Sequence, residues 1–390
     1  MAKKKATAPT VSNVIEDGED LKRIPETVYI ETGNVGIDIG FTDGKGIPMG
    51  TNIMFFGLPG TGKTTIFCDM IVRILRRYKA AGIPIRMHYI DSESSRELLR
   101  ATGVMDFVYD KEEYAPQQVI YHEFVNSFDY LEQVYQRMIT AGDNWSKDVQ
   151  FVFIDSVTKL LANTQLTKAV NEADFGDNAR ARKKLYGKWL QSIKSFGITQ
   201  FWSVQMAGVQ NAQQFAEKKK PAVSDFDKHE MDIIVKLTAD KDTRKTDINK
   251  VTVTTIEGKQ DVIKKYLVKL DPGQATHTKN RHGQLTPLNV MLYPGHGVIN
   301  AYLLRKMLEA YGLLDNYGSD LYNISPELVE YLGPEALEKA GITKLEKVKR
   351  KPYINKLCSL YNKEIIQMLK ERDLYHMIVK EEAEEDDGLF

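Results

Sequence analysis

The sequence has few cysteines, no excess of charge and no long apolar run. Its two cysteines, Cys68 and Cys358, lie far apart without Cys-X-X-Cys spacing, so no disulfide framework is predicted. The seven histidines show no spacing with these cysteines that would bind zinc. Basic and acidic residues each number 53, so the net charge does not point to a nucleic-acid partner and any basic surface must be local.

No apolar stretch is long enough to span a membrane. The basic run Lys3-Lys4-Lys5 is not followed by the apolar core of a signal peptide. A composition of 42% hydrophobic and 27% charged residues is typical of a globular protein, and 390 residues are enough for more than one domain. We therefore expect a cytoplasmic protein without a membrane partner.

The most specific motif is a glycine-rich loop between a strand and a helix. The apolar run 52–56 predicts a buried strand, and apolar residues at helical spacing predict a helix after the loop. The glycines allow backbone N–H groups to turn toward phosphates, Lys63 can reach the outer phosphates, and Thr64 is placed to bind Mg²⁺. The motif predicts a nucleotide site, and the alternative is a glycine-rich turn with an incidental lysine. The loop comprises Gly57, Leu58, Pro59, Gly60, Thr61, Gly62, Lys63, Thr64 and Thr65.

Strands alternate with helices through the middle of the chain. Because the predicted strands are apolar throughout, we expect an α/β fold with a mostly parallel central sheet and helices on both faces. Beyond this region strands follow one another directly, which predicts an antiparallel extension. The predicted parallel strands are 52–56, 83–90, 119–124, 151–156 and 199–204. The predicted segments are a polar arm (1–27), the core (28–297), a small helical C-terminal domain (298–380) and an acidic tail (381–390).

Polar side chains follow the ends of three predicted strands. Because ligands bind at the carboxyl ends of parallel strands, we expect Glu93, Asp155 and Gln205 to lie near the glycine-rich loop. Asp155 is the predicted second contact to Mg²⁺, and its alternative role is a helix cap. Glu93 is the candidate base for the attacking water, or else an acid favoured at a helix start by the dipole. The Gln205 amide either senses a γ-phosphate or merely ends its strand.

Two clusters of basic residues follow strand ends. Both are expected at the same edge of the sheet as the glycine-rich loop, so one surface could bind DNA phosphates and report to the nucleotide site. The alternative for each cluster is a solvated run of charges. The first cluster comprises Arg180, Arg182, Lys183 and Lys184, and the second comprises Lys218, Lys219 and Lys220.

Seven segments carry a resemblance to a known family. They are Glu31-Thr32-Gly33, 47–50, the glycine-rich loop, Ile90-Asp91-Ser92-Glu93, 98–104, 153–156 and 172–177. Together they resemble the RecA recombinase family over about residues 28–310, and the phage UvsX branch of that family most closely. The resemblance implies that 172–177 is a first DNA-binding loop, that ATP and Mg²⁺ bind between protomers, that Glu93 is catalytic and that Gln205 couples ATP to DNA. It also implies that Lys279 and Arg281 reach the ATP of a neighbouring protomer.

The resemblance implies a DNA-dependent ATPase that forms filaments on single-stranded DNA and promotes homologous pairing and strand exchange in recombination and repair. Expected partners are single-stranded and duplex DNA, further copies of the chain, and a single-strand-binding or mediator protein. For a phage-encoded protein the compartment would be the host cell cytoplasm.

Two departures from the family pattern keep other functions open. The Leu-Pro-Gly-Thr of the loop is similar to that of KaiC-like regulatory ATPases, and residues 206–223 lack the paired glycines of the family's second DNA loop. A ring helicase of the DnaB type shares the same core. Such helicases usually carry a sizeable N-terminal domain, whereas residues 1–27 precede the core in this sequence.

Overall fold

The computed structural model describes residues 28–374 except for sixteen gaps of one to eleven residues. These gaps are 43, 84, 108–118, 141–148, 168–174, 209–218, 240–249, 255–259, 265, 272–277, 282–286, 294–296, 317–320, 346–347, 350 and 373. The predicted N-terminal arm (1–27) and acidic tail (381–390) lie outside the described residues.

The core consists of strands and helices in near alternation. Its first half contains β1 (Tyr29–Ile30), α1 (Val35–Thr42), β2 (Ile47–Pro48), β3 (Asn52–Gly57), α2 (Lys63–Ala80), β4 (Ile85–Asp91), α3 (Arg96–Ala101), β5 (Val119–Phe124), α4 (Phe128–Thr140) and β6 (Val149–Asp155). Its second half contains α5 (Asn163–Thr167), α6 (Phe175–Ser195), β7 (Thr199–Gly208), β8 (Lys219–Pro221), α7 (Asp225–Glu230), β9 (Ile233–Ala239), β10 (Lys250–Thr254), β11 (Gln260–Lys264), β12 (Tyr266–Asp271), β13 (Lys279–Asn280), β14 (Leu288–Tyr293) and β15 (Gly297–Ile299). None of the described helices has the length and apolar character needed to cross a membrane.

A single sheet of 11 strands organises the core. Strands β3, β4, β5, β6, β7 and β9 run parallel to one another. Strands β12, β14 and β15 continue the sheet beyond β9 in antiparallel pairing. The order across the sheet is β15, β14, β12, β9, β3, β7, β6, β4 and β5, with β13 paired to β9 and β8 paired to β7. The prediction of a mostly parallel sheet with an antiparallel extension is therefore confirmed.

Strand β3 lies in the middle of this sheet and is buried on both faces. Because successive side chains of a strand point to opposite faces, Ile53 and Phe55 pack in one apolar cluster and Met54 and Phe56 in another. The first cluster includes Phe67 of α2, whose ring centroid lies 5.2 Å from that of Phe55. The second cluster is closed by side chains of α4 and α6. The strand that leads into the glycine-rich loop is thus held from both sides, and truncating Phe55 to alanine would cost about 3–5 kcal/mol.

The residues beyond β15 form a smaller unit around their own apolar cluster. Val35 and Ile39 of α1 belong to the same cluster, so this unit packs directly against the core. It contains a three-stranded antiparallel sheet, which the sequence did not predict because strands of this length are too short to show a period. Its elements are α8 (Asn300–Ala310), β16 (Leu314–Asn316), β17 (Leu321–Ile324), α9 (Pro326–Leu332), α10 (Pro334–Ala340), β18 (Val348–Lys349), α11 (Lys351–Leu360) and α12 (Asn362–Glu371).

Candidate active site

The glycine-rich loop joins the carboxyl end of β3 to the first turn of α2. Gly60 and Gly62 have φ angles of 74° and 91°, in the left-handed region that favours glycine. A Cβ atom on Gly57 would lie 2.7 Å from the carbonyl oxygen of Leu237, so the close approach of β9 also requires a glycine there. The exposed residues of the loop are Leu58, Pro59 and Gly60. The loop therefore projects from the sheet with its backbone accessible.

Lys63 is a buried cation whose hydrogen-bond acceptors are neutral. Its side chain folds back over the loop, and Nζ donates to the carbonyl oxygens of Gly57 at 3.1 Å and Leu58 at 3.2 Å. Burial lowers the pKa of Lys63, and the charges of Asp155 and Glu93 oppose that effect. The first turn of α2 also has no side-chain cap, because its N-cap is Gly62. A buried ammonium beside an uncapped helix N-terminus fits the phosphates of a nucleotide.

Thr64 and Asp155 meet beside the loop, as the sequence predicts. The Thr64 hydroxyl donates to Oδ2 of Asp155 at 2.6 Å, and the Tyr89 hydroxyl donates to the same oxygen at 3.0 Å. Burial raises the pKa of Asp155, and the charge of Glu93 raises it further, while the Thr64 hydrogen bond lowers it.

The oxygens of Thr64 and Asp155 fit Mg²⁺, which commonly takes one or two protein oxygens together with phosphate oxygens and water. Among the described residues no cluster of three or more His, Cys, Asp or Glu could hold a metal ion by itself. Mg²⁺ at this position would therefore depend on the nucleotide for most of its ligands.

Glu93 and Gln205 are also brought together, although they are far apart in the chain. Gln205 Nε2 donates to Oε1 of Glu93 at 2.9 Å. The Ser156 hydroxyl donates to the same oxygen at 2.6 Å. Two neutral donors thus orient the Glu93 carboxylate, one from the end of β6 and one from β7. Both donors bind the same oxygen, and the second oxygen of a carboxylate can accept a hydrogen bond from a water molecule.

A second carboxylate, Asp91 at the end of β4, holds the turn that carries Glu93. Asp91 is 1% exposed, and its oxygens accept the backbone N–H of Glu93 at 3.0 Å and of Ser95 at 2.9 Å. His122 on the neighbouring β5 lies with Nε2 3.1 Å from Oδ2 of Asp91. Within this turn Ser94 has a positive φ of 61°. The backbone of the turn is therefore shaped by Asp91 rather than by its own residues.

Four of these residues were not predicted from the sequence to contribute to the site. Asp91 had a usable signal, because an aspartate at a strand end before a serine-rich turn favours such side-chain to backbone bonds. Ser156 had a weaker one, as the residue after Asp155. Tyr89 and His122 had none, because their contacts depend on which strands lie next to β4.

Lys279 and Arg281 lie at the opposite end of the sheet from the loop. Lys279 pairs with Ile234 at the amino end of β9, whereas Gly57 pairs with Leu237 on that strand. Three residues of extended strand separate the two positions by about 10 Å, and the loop projects away from the far end. The structure therefore does not bring Lys279 and Arg281 to the loop of their own chain.

Both cations are instead bound near the start of β9. Arg281 Nη1 lies 3.0 Å from Oδ1 of Asp232, and Nη2 donates to the carbonyl oxygen of His229 at 3.1 Å. Lys279 Nζ donates to that same carbonyl oxygen at 3.0 Å. Burial lowers the pKa of Lys279, and the neighbouring Arg281 charge lowers it further.

Among the cations predicted to bind DNA, Arg182 is held inside the fold. Its Nε lies 2.8 Å from Oδ2 of the fully buried Asp227, with which it forms an ion pair. Burying either charge alone would cost much free energy, so the two side chains stay paired. The pair thereby joins α6 to α7. We therefore assign Arg182 to packing and correct its place among the predicted DNA contacts.

The other predicted DNA contacts differ in what the structure describes. Arg180 has a side chain that is 67% exposed and pairs with Asp177 at 2.6 Å. Lys183 is exposed, with Nζ 5.7 Å from the ring centroid of Phe226. Lys219 and Lys220 lie on β8, which pairs with the last residues of β7, whereas Lys218 lies outside the described residues.

The fold and the loop define a class of protein. An α/β sheet of this order, with a phosphate loop at the carboxyl end of a central strand, is consistent with a RecA-type core. Side chains from β4, β6 and β7 meet at the same edge of that sheet, where ligands of open α/β sheets bind.

Comparison with known proteins finds two relatives that are similar to part of the chain. Over 170 residues the chain is 29% identical to protein RecA of Aquifex pyrophilus, and the matched region covers 42% of each of the two proteins. Over 178 residues it is 27% identical to an ORC1-type DNA replication protein of Cenarchaeum symbiosum (strain A), which covers 42% of this chain and 40% of that protein. The chain thus matches less than half the length of these relatives. No protein-family model matches the chain.

Proposed function

We propose that the protein is a DNA-dependent ATPase that assembles on single-stranded DNA and promotes homologous pairing and strand exchange, like recombinases of the UvsX branch. The observation that carries the proposal is the 2.9 Å contact between Glu93 and Gln205. It links the candidate catalytic carboxylate to β7, the strand that leads into the second basic segment. A conformational change in that segment would therefore alter the position of Glu93 relative to the attacking water.

Each residue of the candidate site has a proposed role in ATP hydrolysis. Lys63 binds the phosphates, Thr64 and Asp155 hold the metal, and Glu93 orients and deprotonates the attacking water. Bound Mg²⁺ would neutralise charge that develops on the phosphates. Gln205 and Ser156 keep the Glu93 carboxylate in one orientation, so losing either bond would slow hydrolysis more than it would weaken nucleotide binding.

DNA binding is proposed at the edge of the sheet where β7 and β8 meet. β8 lies antiparallel to the last residues of β7, with Lys219 opposite Gly208, which is three residues beyond Gln205 in the chain. Lys220 is exposed. Arg180 and Lys183, which are exposed on α6, are proposed to extend this basic surface. Contacts of this kind with phosphates release counterions, so binding should weaken steeply with salt.

Coupling between ATP and DNA is tested by replacing Gln205 with alanine. The ratio of ATP turnover with and without single-stranded DNA should fall close to one, because the variant loses the contact between β7 and Glu93. Gln133, an exposed residue of α4, provides a matched control whose replacement should leave the ratio unchanged. A Gln205→Ala protein with wild-type stimulation would remove the observation on which the proposal rests.

Lys279 and Arg281 are proposed to act on the ATP of the neighbouring protomer, which makes hydrolysis depend on assembly. The Lys279→Ala/Arg281→Ala protein keeps a complete loop, and Lys63→Ala protein keeps both cations. Each alone should be inactive. Mixed on single-stranded DNA, the two should regain part of the DNA-stimulated ATPase activity. If they co-assemble and activity stays at the level of the separate variants, the proposed role in trans is wrong.

The similarity to an ORC1-type DNA replication protein favours a second candidate, an ATPase that binds DNA without exchanging strands. Negative-stain microscopy with single-stranded DNA and a slowly hydrolysed ATP analogue separates the candidates. Filaments together with strand exchange support the recombinase. Rings on DNA support a helicase, DNA-bound particles without exchange support the replication ATPase, and rings indifferent to DNA support a KaiC-like regulator.

A further inference from the structure

A basic cleft of about 550 Å³ lies between the second half of α2 and helix α12 of the C-terminal unit. The cleft lies toward the C-terminal end of α2, whereas the glycine-rich loop ends in the first turn of that helix. The charged residues that line the cleft are Arg73, Arg76, Arg77, Lys363, Lys370 and Glu31. Five cations and one acid make the cleft strongly positive, although the whole chain is neutral.

Part of this charge serves the fold. Arg73 pairs with the buried Asp69 at 2.9 Å and donates to the carbonyl oxygen of Val298 at 2.8 Å. Glu31 lies between Arg77 and Lys370 and contacts a nitrogen of each at 2.5 Å. Glu31 thereby links α2 to α12 across the floor of the cleft. Its single negative charge cannot neutralise both of its partners.

Arg76 and Lys363 lie on the two opposite walls, and both are exposed. Neither forms an ion pair with any residue in the part of the chain that the structure describes. Two cations that line one opening without forming an ion pair would repel each other less if an anion lay between them. Asn362 and Gln367 add amide groups to the Lys363 wall.

We propose that this cleft binds a small polyphosphate anion, either free or as part of a nucleotide, at a site separate from the phosphate loop. Arginine side chains recognise phosphate oxygens through paired N–H groups, and the volume lies within the range of small-molecule sites. The adjoining N-terminus of α12 has no side-chain cap on its N-cap residue Tyr361, so its N–H groups add to the positive field. A bound anion would join α2 to α12 and so stabilise the C-terminal unit on the core.

The test uses full-length Lys63→Ala protein, which removes the lysine of the phosphate loop and so isolates the second site. Tripolyphosphate should bind this protein in calorimetry and raise its midpoint of thermal unfolding. Adding Arg76→Ala and Lys363→Ala should weaken tripolyphosphate binding at least about tenfold and abolish the thermal shift. The control adds Lys79→Ala and Lys356→Ala, which remove the same charge from exposed positions of α2 and α11 outside the cleft. It should bind within about twofold of the parent.

Parallel titrations with ATP and with a short duplex oligonucleotide identify the source of the phosphates. ATP that binds more tightly than tripolyphosphate shows that the cleft also recognises the nucleoside, and equal affinity shows that it reads the phosphate chain alone. Both results support the site. It would be overturned by an equal loss in the cleft and control variants, by the absence of tripolyphosphate binding at millimolar concentration, or by a loss confined to the duplex. These outcomes are independent of recombinase activity, because the parent protein lacks the loop lysine.

Discussion

The two ends of the central sheet use buried carboxylates in different ways. Asp155, at the carboxyl end, is 1% exposed and accepts hydrogen bonds from the hydroxyls of Thr64 and Tyr89. Asp232, at the amino end, is 4% exposed and is surrounded by cations. Hydroxyl partners leave a carboxylate's charge uncompensated, so Asp155 is prepared for a metal ion. Cationic partners neutralise that charge, so Asp232 needs no metal ion to compensate it.

The partners of Asp232 show what the amino end does. Lys194 at 2.8 Å comes from the end of α6, and Arg281 at 3.0 Å follows β13. The backbone N–H of Asn52, the first residue of β3, donates to the same carboxylate at 2.9 Å. One aspartate therefore fixes the start of the strand that carries the phosphate loop. If Arg281 is to reach a neighbouring protomer, Lys194 can keep Asp232 paired while Arg281 moves.

The largest effect is expected at the carboxyl end, from Lys63→Ala. Loss of charge-assisted bonds to phosphate should weaken binding of an ATP analogue by about a hundredfold or more. Because burial already lowers the pKa of Lys63, its removal should not lower the midpoint of thermal unfolding. Calorimetry with the analogue and a thermal scan measure the two quantities. Lys79→Ala, at the exposed end of the same helix, should change neither. A Lys63→Ala protein that binds the analogue normally would contradict the assignment of the loop.

Glu93→Gln should separate hydrolysis from binding at the same end of the sheet. Turnover with single-stranded DNA should fall by about 10²–10³, because the amide cannot accept the proton of the attacking water. Affinity for ATP should stay within about threefold, since Glu93 acts on the water and not on the phosphates. Steady-state turnover and equilibrium binding give the two numbers. Glu97→Gln, an exposed acid in the first turn of α3, is the charge-matched control. Near-wild-type turnover by Glu93→Gln would mean that another residue is the base.

The sequence predicts the carboxyl end well for a physical reason. The phosphate loop is contiguous, so its spacing is visible in the chain. Glu93, Asp155 and Gln205 were expected together because parallel strands bring their carboxyl ends to one edge, whatever their order. The observed contacts of Glu93 with Gln205 and of Asp155 with Thr64 agree with that expectation.

The amino end and the internal ion pairs could not be predicted in the same way. Asp232 meets Lys194 and Arg281 only because α6 and β13 end beside it, which requires the register of the sheet. The pair of Arg182 with Asp227 depends on how α7 packs on α6. A basic residue in a predicted loop looks the same in the sequence whether it faces solvent or a buried acid.

A pair of substitutions would test the comparison directly. Asp232→Asn should lower the free energy of unfolding by about 3 kcal/mol, because it leaves Lys194 and Arg281 without their carboxylate. Both cations are partly exposed, so the loss should be smaller than that for a fully buried pair. Asp155→Asn should leave that free energy unchanged or higher, because burial raises the pKa of Asp155 and its charge is costly without metal.

The same two variants should behave in the opposite way toward Mg²⁺. Asp155→Asn should raise the Mg²⁺ concentration needed for ATP binding at least about tenfold, and Asp232→Asn should leave it unchanged. Urea unfolding and Mg²⁺ titrations of ATP binding provide the measurements. If both variants lose stability equally, or both lose the Mg²⁺ dependence, the two ends of the sheet do not differ as described.

A third buried carboxylate, Asp38 of α1, has no cationic partner in the described part of the chain and does not lie beside the glycine-rich loop. It is 2% exposed, and it accepts the backbone N–H of Thr32 at 2.8 Å, the Thr32 hydroxyl at 2.7 Å and the N–H of Gly33 at 3.0 Å. Burial raises the pKa of Asp38 from its ordinary 3.8 to about 6, against the lowering effect of these hydrogen bonds.

The smallest expected effect is the dependence of stability on the titration of Asp38. Because its folded-state pKa lies above the unfolded value, the folded protein holds this proton more tightly. The resulting stability is complete below pH 3.8 and is lost as the pH rises through about 6. Between pH 4 and pH 7, wild type should therefore lose about 2 kcal/mol relative to Asp38→Asn, which cannot titrate. Urea unfolding of both proteins across this range measures the difference.

The control is Asp315→Asn, which removes an exposed carboxylate and should show the same dependence of unfolding free energy on pH as wild type. A difference between wild type and Asp38→Asn that stays constant with pH would show that Asp38 is ionised in the fold, as a carboxylate with cationic partners would be.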